Sequence, residues 1–158
     1  MPAALIFALA LTGAGSPDAP ASPPGFCTVL DAIIAAADEP TPFRSLSAPA
    51  DYGNQAWSTQ VVPGFAYCSL TTTTIAGSEI PTVSCWRRMA PRDLTANSLA
   101  LETGSCLGEA PTPSVWDPTV GEMVFNQGPV RIVIEESCTD QCHVGRLVTY
   151  RIEARRPE

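Results

Sequence analysis

The stretch GFAYCSLTTTTIAGSEIPTVSCWRR, residues 64–88, decides how this chain folds, because two β-rich runs flank a turn in it. The runs are Phe65–Thr73 and Ile80–Arg87, and the turn has the sequence IAGS. Folding the hairpin about this turn sets Cys68 directly opposite Cys85. Opposed residues of an antiparallel pair lie ~4.5–5.5 Å apart, a distance that a disulfide bridges. The stretch therefore predicts a disulfide-closed β-hairpin.

The same register places Tyr67 opposite Trp86, on the face of the hairpin that points away from the disulfide. Aromatic side chains beside arginine are typical of binding surfaces. An alternative is that the loops bearing Trp57 and Trp116 fold over this face and form a minor core. The candidate binding patch consists of Phe65, Tyr67, Trp86, Arg87 and Arg88.

A second hairpin is predicted in GPVRIVIEESCTDQCHVGRLVTYRIEAR, residues 128–155. A turn about Asp140 sets Cys138 opposite Cys142, so these two are expected to form a disulfide. The even-numbered residues then share one apolar face, because side chains alternate along a strand. A rival turn at Val144–Gly145 would oppose apolar residues to charged ones. In the preferred register Ile132 faces Val148 and Val130 faces Tyr150, while the other face carries Arg131, Glu135, Arg151 and Glu153.

Two helices complete the prediction. The first covers Cys27–Asp38, with an apolar face through Cys27, Leu30, Ile34 and Ala37. The second starts near Pro91, runs through residues 92–103 and stops at Gly104. By elimination, Cys27 pairs with Cys106 and joins the two helices, which makes three disulfides in all.

The remaining strands are predicted at Gly121–Phe125, Val130–Glu136 and His143–Ala154, with a turn at Asn126–Gly128. Prolines make residues 108–119 a loop. The element order is therefore α-β-β-α-β-β-β, which predicts an α+β fold with an antiparallel sheet of about five strands and both helices on one face.

The leading segment predicts export. An apolar run from Ala3 to Leu11 precedes small residues, which is the order of a signal peptide, although no basic residue comes before it. The run is too short for a membrane span, which needs ~20 apolar residues. We expect residues 1–21 to be removed by cleavage after about Gly15 or Ala21, residues 22–26 to form a linker, and residues 27–156 to form one domain. Six cysteines suit the same periplasmic or secreted location.

The composition excludes some kinds of catalysis and disfavours one class of partner. All nine basic residues are arginine and the net charge is −7, so Schiff-base chemistry on a lysine is excluded and a nucleic-acid partner is disfavoured. The single histidine, His143, lies in EESCTDQCH, which resembles a small metal site, but oxidation of its cysteines is favoured in an exported chain. Glu135 and Glu136 are adjacent in a strand and point to opposite faces, so they do not form a glycosidase pair.

The sequence thus predicts no catalytic residue, no metal ligand and no cofactor. It favours an exported, non-catalytic binding domain, such as an inhibitor or accessory protein, whose partner is a protein or a cell-envelope component. The alternative is a small hydrolase or metal-dependent enzyme centred on His143.

Overall fold

A computed structural model describes residues 25–48, 56–88, 90, 94–117, 120–138 and 146–155, and of residues 113–117, 120 and 138 it describes the backbone only. The elements follow one another as helix α1, three strands, helix α2 and four strands. The helices are α1 (Phe26–Ala37) and α2 (Ala96–Leu107), and the strands are β1 (Ala56–Trp57), β2 (Cys68–Ile75), β3 (Ser78–Arg88), β4 (Thr112–Asp117), β5 (Val120–Gln127), β6 (Val130–Cys138) and β7 (Arg146–Ala154).

The strands form one antiparallel sheet in the order β1-β2-β3-β7-β6-β5-β4. The predicted α+β class and the antiparallel sheet are confirmed, and the described residues form seven strands where about five were expected. One extra strand, β1, is described at two residues, Ala56 and Trp57. The other, β4, was predicted as a loop because of Pro111, Pro113 and Pro118. A proline is tolerated here because β4 is an edge strand, and its pairing with β5 shifts register between Pro113 and Trp116.

The first hairpin has the predicted register. Cys68 lies opposite Cys85, and the two form a disulfide with a Cα–Cα distance of 4.1 Å. A two-residue turn joins the strands, and both of its residues, Ala76 and Gly77, have positive φ angles of 49° and 82°. This conformation matches the right-handed twist of paired strands. Strand β2 starts at Cys68, three residues later than the prediction of Phe65.

The second hairpin keeps the predicted faces but not the predicted register. Ile134 faces Tyr150, and Cys138 lies opposite Arg146 where Cys142 was expected. The error is an even number of residues, so the apolar side chains still share one face and the charged ones the other. Cys142 lies outside the described residues, as does the turn, and the described residues contain two disulfides rather than three.

Helix α1 begins one residue before the prediction, at Phe26. Its buried face is rotated from the expected one: Cys27 is exposed, whereas Val29 and Ile33 are buried beside Leu30. The disulfide between Cys27 and Cys106, inferred by elimination, is present with a Cα–Cα distance of 5.3 Å. It joins the first turn of α1 to the last turn of α2.

Helix α2 begins later and ends later than predicted. Thr95 is its N-cap: the Thr95 hydroxyl accepts a hydrogen bond from the Ser98 amide at 2.9 Å, and the Ser98 hydroxyl accepts one from the Thr95 amide. Gly104 does not stop the helix. It lies inside it, where a Cβ would approach the Glu109 carbonyl oxygen to 2.5 Å, so the glycine is needed for this close contact. The helix ends at Gly108, which has a φ of 68°.

The core lies between the helices and one face of the sheet. Tyr150 is at its centre, with ring contacts to Phe26 and Phe65 at centroid distances of 6.1 and 6.4 Å. Its hydroxyl is 2.7 Å from that of Thr103 on α2, and burial raises the pKa of Tyr150 well above its usual range. This bond satisfies both buried hydroxyls. Of the helices that the structure describes, none is long and apolar enough to cross a membrane.

Candidate functional site

The face of the sheet that points away from α1 and α2, here called the outer face, holds the exposed functional groups. On β3 it carries Trp86, because Cys85 and Val83 point to the core. Across the sheet, Trp86 is followed in one row by Thr149, Glu135 and Glu122. Backbone pairing thus aligns an indole, a hydroxyl and two carboxyl groups on a single row.

Three aromatic rings at one end of this row form the aromatic cluster, defined by Trp57, Tyr67 and Trp86. The Tyr67 ring lies between the two indoles, with centroid distances of 5.1 Å on each side and nearly perpendicular ring planes. Edge-to-face contacts of this kind stabilise aromatic pairs. Trp86 nevertheless remains 37 % exposed, which makes it the most exposed aromatic side chain described.

The alternative is that the loops bearing Trp57 and Trp116 cover this face. Trp57 lies in strand β1, beside β2, and its ring packs against Tyr67, which is half-buried. The side chain of Trp116 lies outside the described residues. The packing of Trp57 against Tyr67 leaves the Trp86 indole open to solvent.

Two of the five predicted patch residues lie elsewhere. Phe65 is only 8 % exposed and belongs to the core, where it contacts Tyr150. It lies before β2 begins, so the alternation of a strand does not apply to it. Arg87 alternates to the helix side of β3, where its Nη1 donates to the Gly64 carbonyl at 2.7 Å. Tyr67, Trp86 and the exposed Arg88 remain on the outer face.

Beyond Thr149, the outer face carries a network of ion pairs. Arg131 contacts Glu153 at 3.0 Å and Glu122 at 3.8 Å. Arg151 contacts Glu135 at 3.1 Å and Glu153 at 3.8 Å. Glu153 is only 2 % exposed and contacts both arginines. The odd-numbered charged set of the second hairpin is thus on one face, as the alternation predicted.

Glu122 and Glu135 form a carboxyl pair that sequence reasoning missed. They are directly opposed on β5 and β6. Burial raises the pKa of Glu135, the neighbouring Glu122 raises it further, and Arg151 acts in the opposite direction. Neighbouring positions in the chain do not indicate this pair, because its two residues lie on different strands. Pairing β5 with β6 about the Gly128–Pro129 turn would have revealed it.

Glu136 points to the other side of the sheet, as expected from alternation. Its Oε2 accepts a hydrogen bond from the Ala96 amide at 2.8 Å, at the N-terminus of α2. Its Oε1 lies 3.2 Å from Arg146, and Arg146 also donates to the Leu94 carbonyl. Glu136 therefore stabilises the start of the helix, where a negative charge is favoured.

His143 and its neighbours Asp140 and Cys142 lie outside the described residues. Within the described part of the chain, no group of three or more histidine, cysteine, aspartate or glutamate residues is arranged to hold a metal ion. A shallow cleft of about 430 Å³ lies between residues 41–47 and the β2–β3 hairpin, and hydroxyl groups and Arg44 line much of it. Among the described residues that line this cleft, none is a cysteine, a histidine or a carboxylate.

Comparison with protein-family models, with curated proteins and with solved structures finds no match for this chain.

Proposed function

We propose that this chain is an exported, non-catalytic binding domain that recognises a protein or cell-envelope component through the aromatic cluster and Arg88. The observation that carries the proposal is the exposure of Trp86 within a set of mutually packed rings. Tryptophan, tyrosine and arginine are the residues that contribute most to binding energy at protein interfaces.

The cluster is held rigidly, which favours binding. Tyr67 contacts both indoles, so the rings lose little freedom when a partner covers them. The Cys68–Cys85 disulfide fixes the two strands directly behind the cluster. Strand β3 is itself paired on both sides, with β2 and with β7. Trp86 is thus presented from an interior strand of the sheet rather than from a loop.

Export rests on the cysteines and the leading segment. Two disulfides within the described residues suit an oxidising compartment, because reduced thiols prevail in the cytosol. The apolar run from Ala3 to Leu11 supplies the predicted signal. Both features support a periplasmic or secreted location.

Replacing Trp86 tests the proposal. The bait is the purified mature protein, crosslinked to an envelope extract of the native host and then recovered. We expect Trp86→Ala to lower capture of the partner about tenfold or more, since truncating a central aromatic anchor costs ~2 kcal/mol or more. Circular dichroism and a urea titration establish that the variant is folded.

Two matched variants give the controls. Leu101 is 66 % exposed on α2, on the other side of the molecule, so Leu101→Ala removes exposed apolar surface without touching the outer face. His143→Ala removes the centre of the alternative enzyme. Both are expected to capture the partner as the parent does. Equal capture by Trp86→Ala would contradict the proposal, and unfolding of Trp86→Ala would assign the cluster to a minor core.

A further inference from the structure

The groups that surround Trp86 on the outer face are polar. Ser84 and Arg88 flank it on β3, two residues away on either side, and Thr149 lies directly opposite on β7. Residues two apart on a strand share a face at a spacing of ~6.6 Å, and directly opposed residues lie ~4.5–5.5 Å apart. One exposed indole therefore has two hydroxyl groups and a guanidinium group beside it.

These three polar groups have no partner within the part of the chain that the structure describes. The hydroxyls of Ser84 and Thr149 form no hydrogen bond there, and the exposed Arg88 guanidinium forms neither a hydrogen bond nor an ion pair. Arg131 and Arg151, on the same face, are held in ion pairs instead. A ligand at Trp86 can therefore bond to three groups without breaking a described bond within the protein.

The exposed apolar area around Trp86 is small. Trp86 is 37 % exposed, which is less than ~100 Å² of an aromatic side chain. Trp57 and Tyr67 are half-buried, and Val124 and Val133, which also belong to the outer face, are buried. A standard protein interface buries ~800 Å² of each partner, and its apolar centre is depleted of serine and of charged residues. The surroundings of Trp86 suit a smaller ligand that combines an apolar face with many hydroxyl groups.

We propose that the partner of this surface is an uncharged glycan, of which one sugar ring stacks on Trp86 while its hydroxyl groups bond to Ser84, Arg88 and Thr149. The inference rests on the proposed function and specifies the chemistry of its partner. A pyranose ring has a face of C–H groups and a rim of hydroxyl groups. The negative face of an indole attracts such C–H groups. Serine and threonine hydroxyls both donate and accept, as the hydroxyls of a sugar do.

The charge of the chain favours an uncharged glycan over an acidic one. The net charge is −7, and Glu135 is the next residue after Thr149 in the row that starts at Trp86. A polymer of uronic acids or phosphates is repelled by a protein of this charge. Arg88 has donors only, so it donates to a hydroxyl or carbonyl oxygen of the sugar.

Selective treatment of the envelope extract tests the inference. Periodate cleaves the vicinal diols of sugars, and proteinase K digests proteins. The extract receives one of the two treatments, the reagent is quenched, and the purified mature protein is then used as bait. The measured quantity is the Trp86-dependent capture, which is the difference between the parent and Trp86→Ala. We expect it to survive proteinase K and to fall tenfold or more after periodate.

The outcomes separate this inference from the proposed function. Loss of the Trp86-dependent capture after proteinase K, or its retention after periodate, would overturn the glycan and leave the proposed function intact. Absence of Trp86-dependent capture from the untreated extract would contradict the proposed function and the inference with it. Capture that disappears at 1 M salt would identify an acidic glycan and overturn the uncharged one, because salt screens charge pairs.

Replacing one hydroxyl group tests the geometry. With the extract treated with proteinase K, Thr149→Val is expected to lower capture about fivefold, since it removes one hydrogen bond and keeps the shape of the side chain. Thr149→Ser retains the hydroxyl and should capture as the parent does. Thr28→Val, on the exposed side of α1, is the matched control and should have no effect. Circular dichroism establishes that each variant is folded. Equal capture by Thr149→Val and the parent would overturn the proposed placement of the sugar.

Discussion

At the scale of single residues, the register of a hairpin decides which side chains meet. Cys68 meets Cys85 because a two-residue turn leaves only one way to pair the strands around it. The contact between Glu122 and Glu135 depends on the alignment of β5 with β6. Phe65 precedes β2, so the alternation of a strand does not decide which way its side chain points.

Glu135 makes stability depend on pH. Its pKa is raised by burial, so its uncharged form is favoured in the folded state. The corresponding stabilisation is complete below the ordinary glutamate pKa of ~4.3 and is lost as the pH rises through the raised value. We expect the free energy of unfolding to fall over this pH interval. Glu135→Gln removes the titrating group, so urea titrations of this variant across the interval should show a smaller fall.

Glu79→Gln is the control for the pH measurement, because it removes an exposed carboxyl group of β3 and leaves the opposed pair on β5 and β6 intact. Its pH profile should match that of the unmodified protein. If Glu135→Gln also leaves the profile unchanged, Glu135 is not the group responsible.

At the scale of elements, local sequence signals predict whether a segment is a helix or a strand better than they predict the residues at which it begins and ends. The start of α2 was placed at Pro91, whose fixed φ suits a first turn, yet the helix starts at the Thr95 cap. The capping pair Thr95 and Ser98 is a weaker sequence signal than proline, because serine is common in loops. The prolines of β4 predict a loop. A proline is tolerated in an edge strand, but local sequence does not show that β4 lies at the edge of the sheet.

The cap of α2 makes a measurable contribution. The Thr95 hydroxyl satisfies a backbone amide that has no partner within the helix. We expect Thr95→Ala to lower the free energy of unfolding by ~1 kcal/mol, as for other N-cap threonines. Thr95→Ser keeps the hydroxyl and should retain most of the stability. Urea titrations compare the two variants, and equal losses in both would show that the hydroxyl is not what stabilises the helix.

At the scale of the whole molecule, the alternation and periodicity of apolar residues predict the fold class and the face of the sheet that points to the core. They do not predict the order of the strands in the sheet. Strand β7 lies between β3 and β6, so the last strand of the chain joins the first hairpin to the rest of the sheet. No local pattern encodes such a pairing, because the paired residues are 59 or more positions apart, as Arg88 and Leu147 are. The candidate site spans the same junction, since Trp86 and Thr149 belong to these two strands.

The disulfide between the helices is expected to contribute most to stability. It joins residues 79 positions apart, whereas Cys68 and Cys85 are separated by 17. Loop-closure entropy gives ~4.5 kcal/mol for the longer loop and ~3 kcal/mol for the shorter one. The double variant Cys27→Ala/Cys106→Ala should lose about the first amount in a urea titration without reductant. A loss below ~1 kcal/mol would show that the unfolded chain gains little freedom when this bond is absent.

The same bond also determines how the protein responds to proteolysis. It closes a covalent ring that contains both helices and strands β1, β2 and β3, while strands β4 to β7 lie outside it. A protease that cuts one peptide bond within the ring leaves two pieces that are still joined through Cys27 and Cys106. The exposed turn at Ala76–Gly77, which joins β2 to β3, lies inside this ring. A nick in this turn therefore releases no fragment.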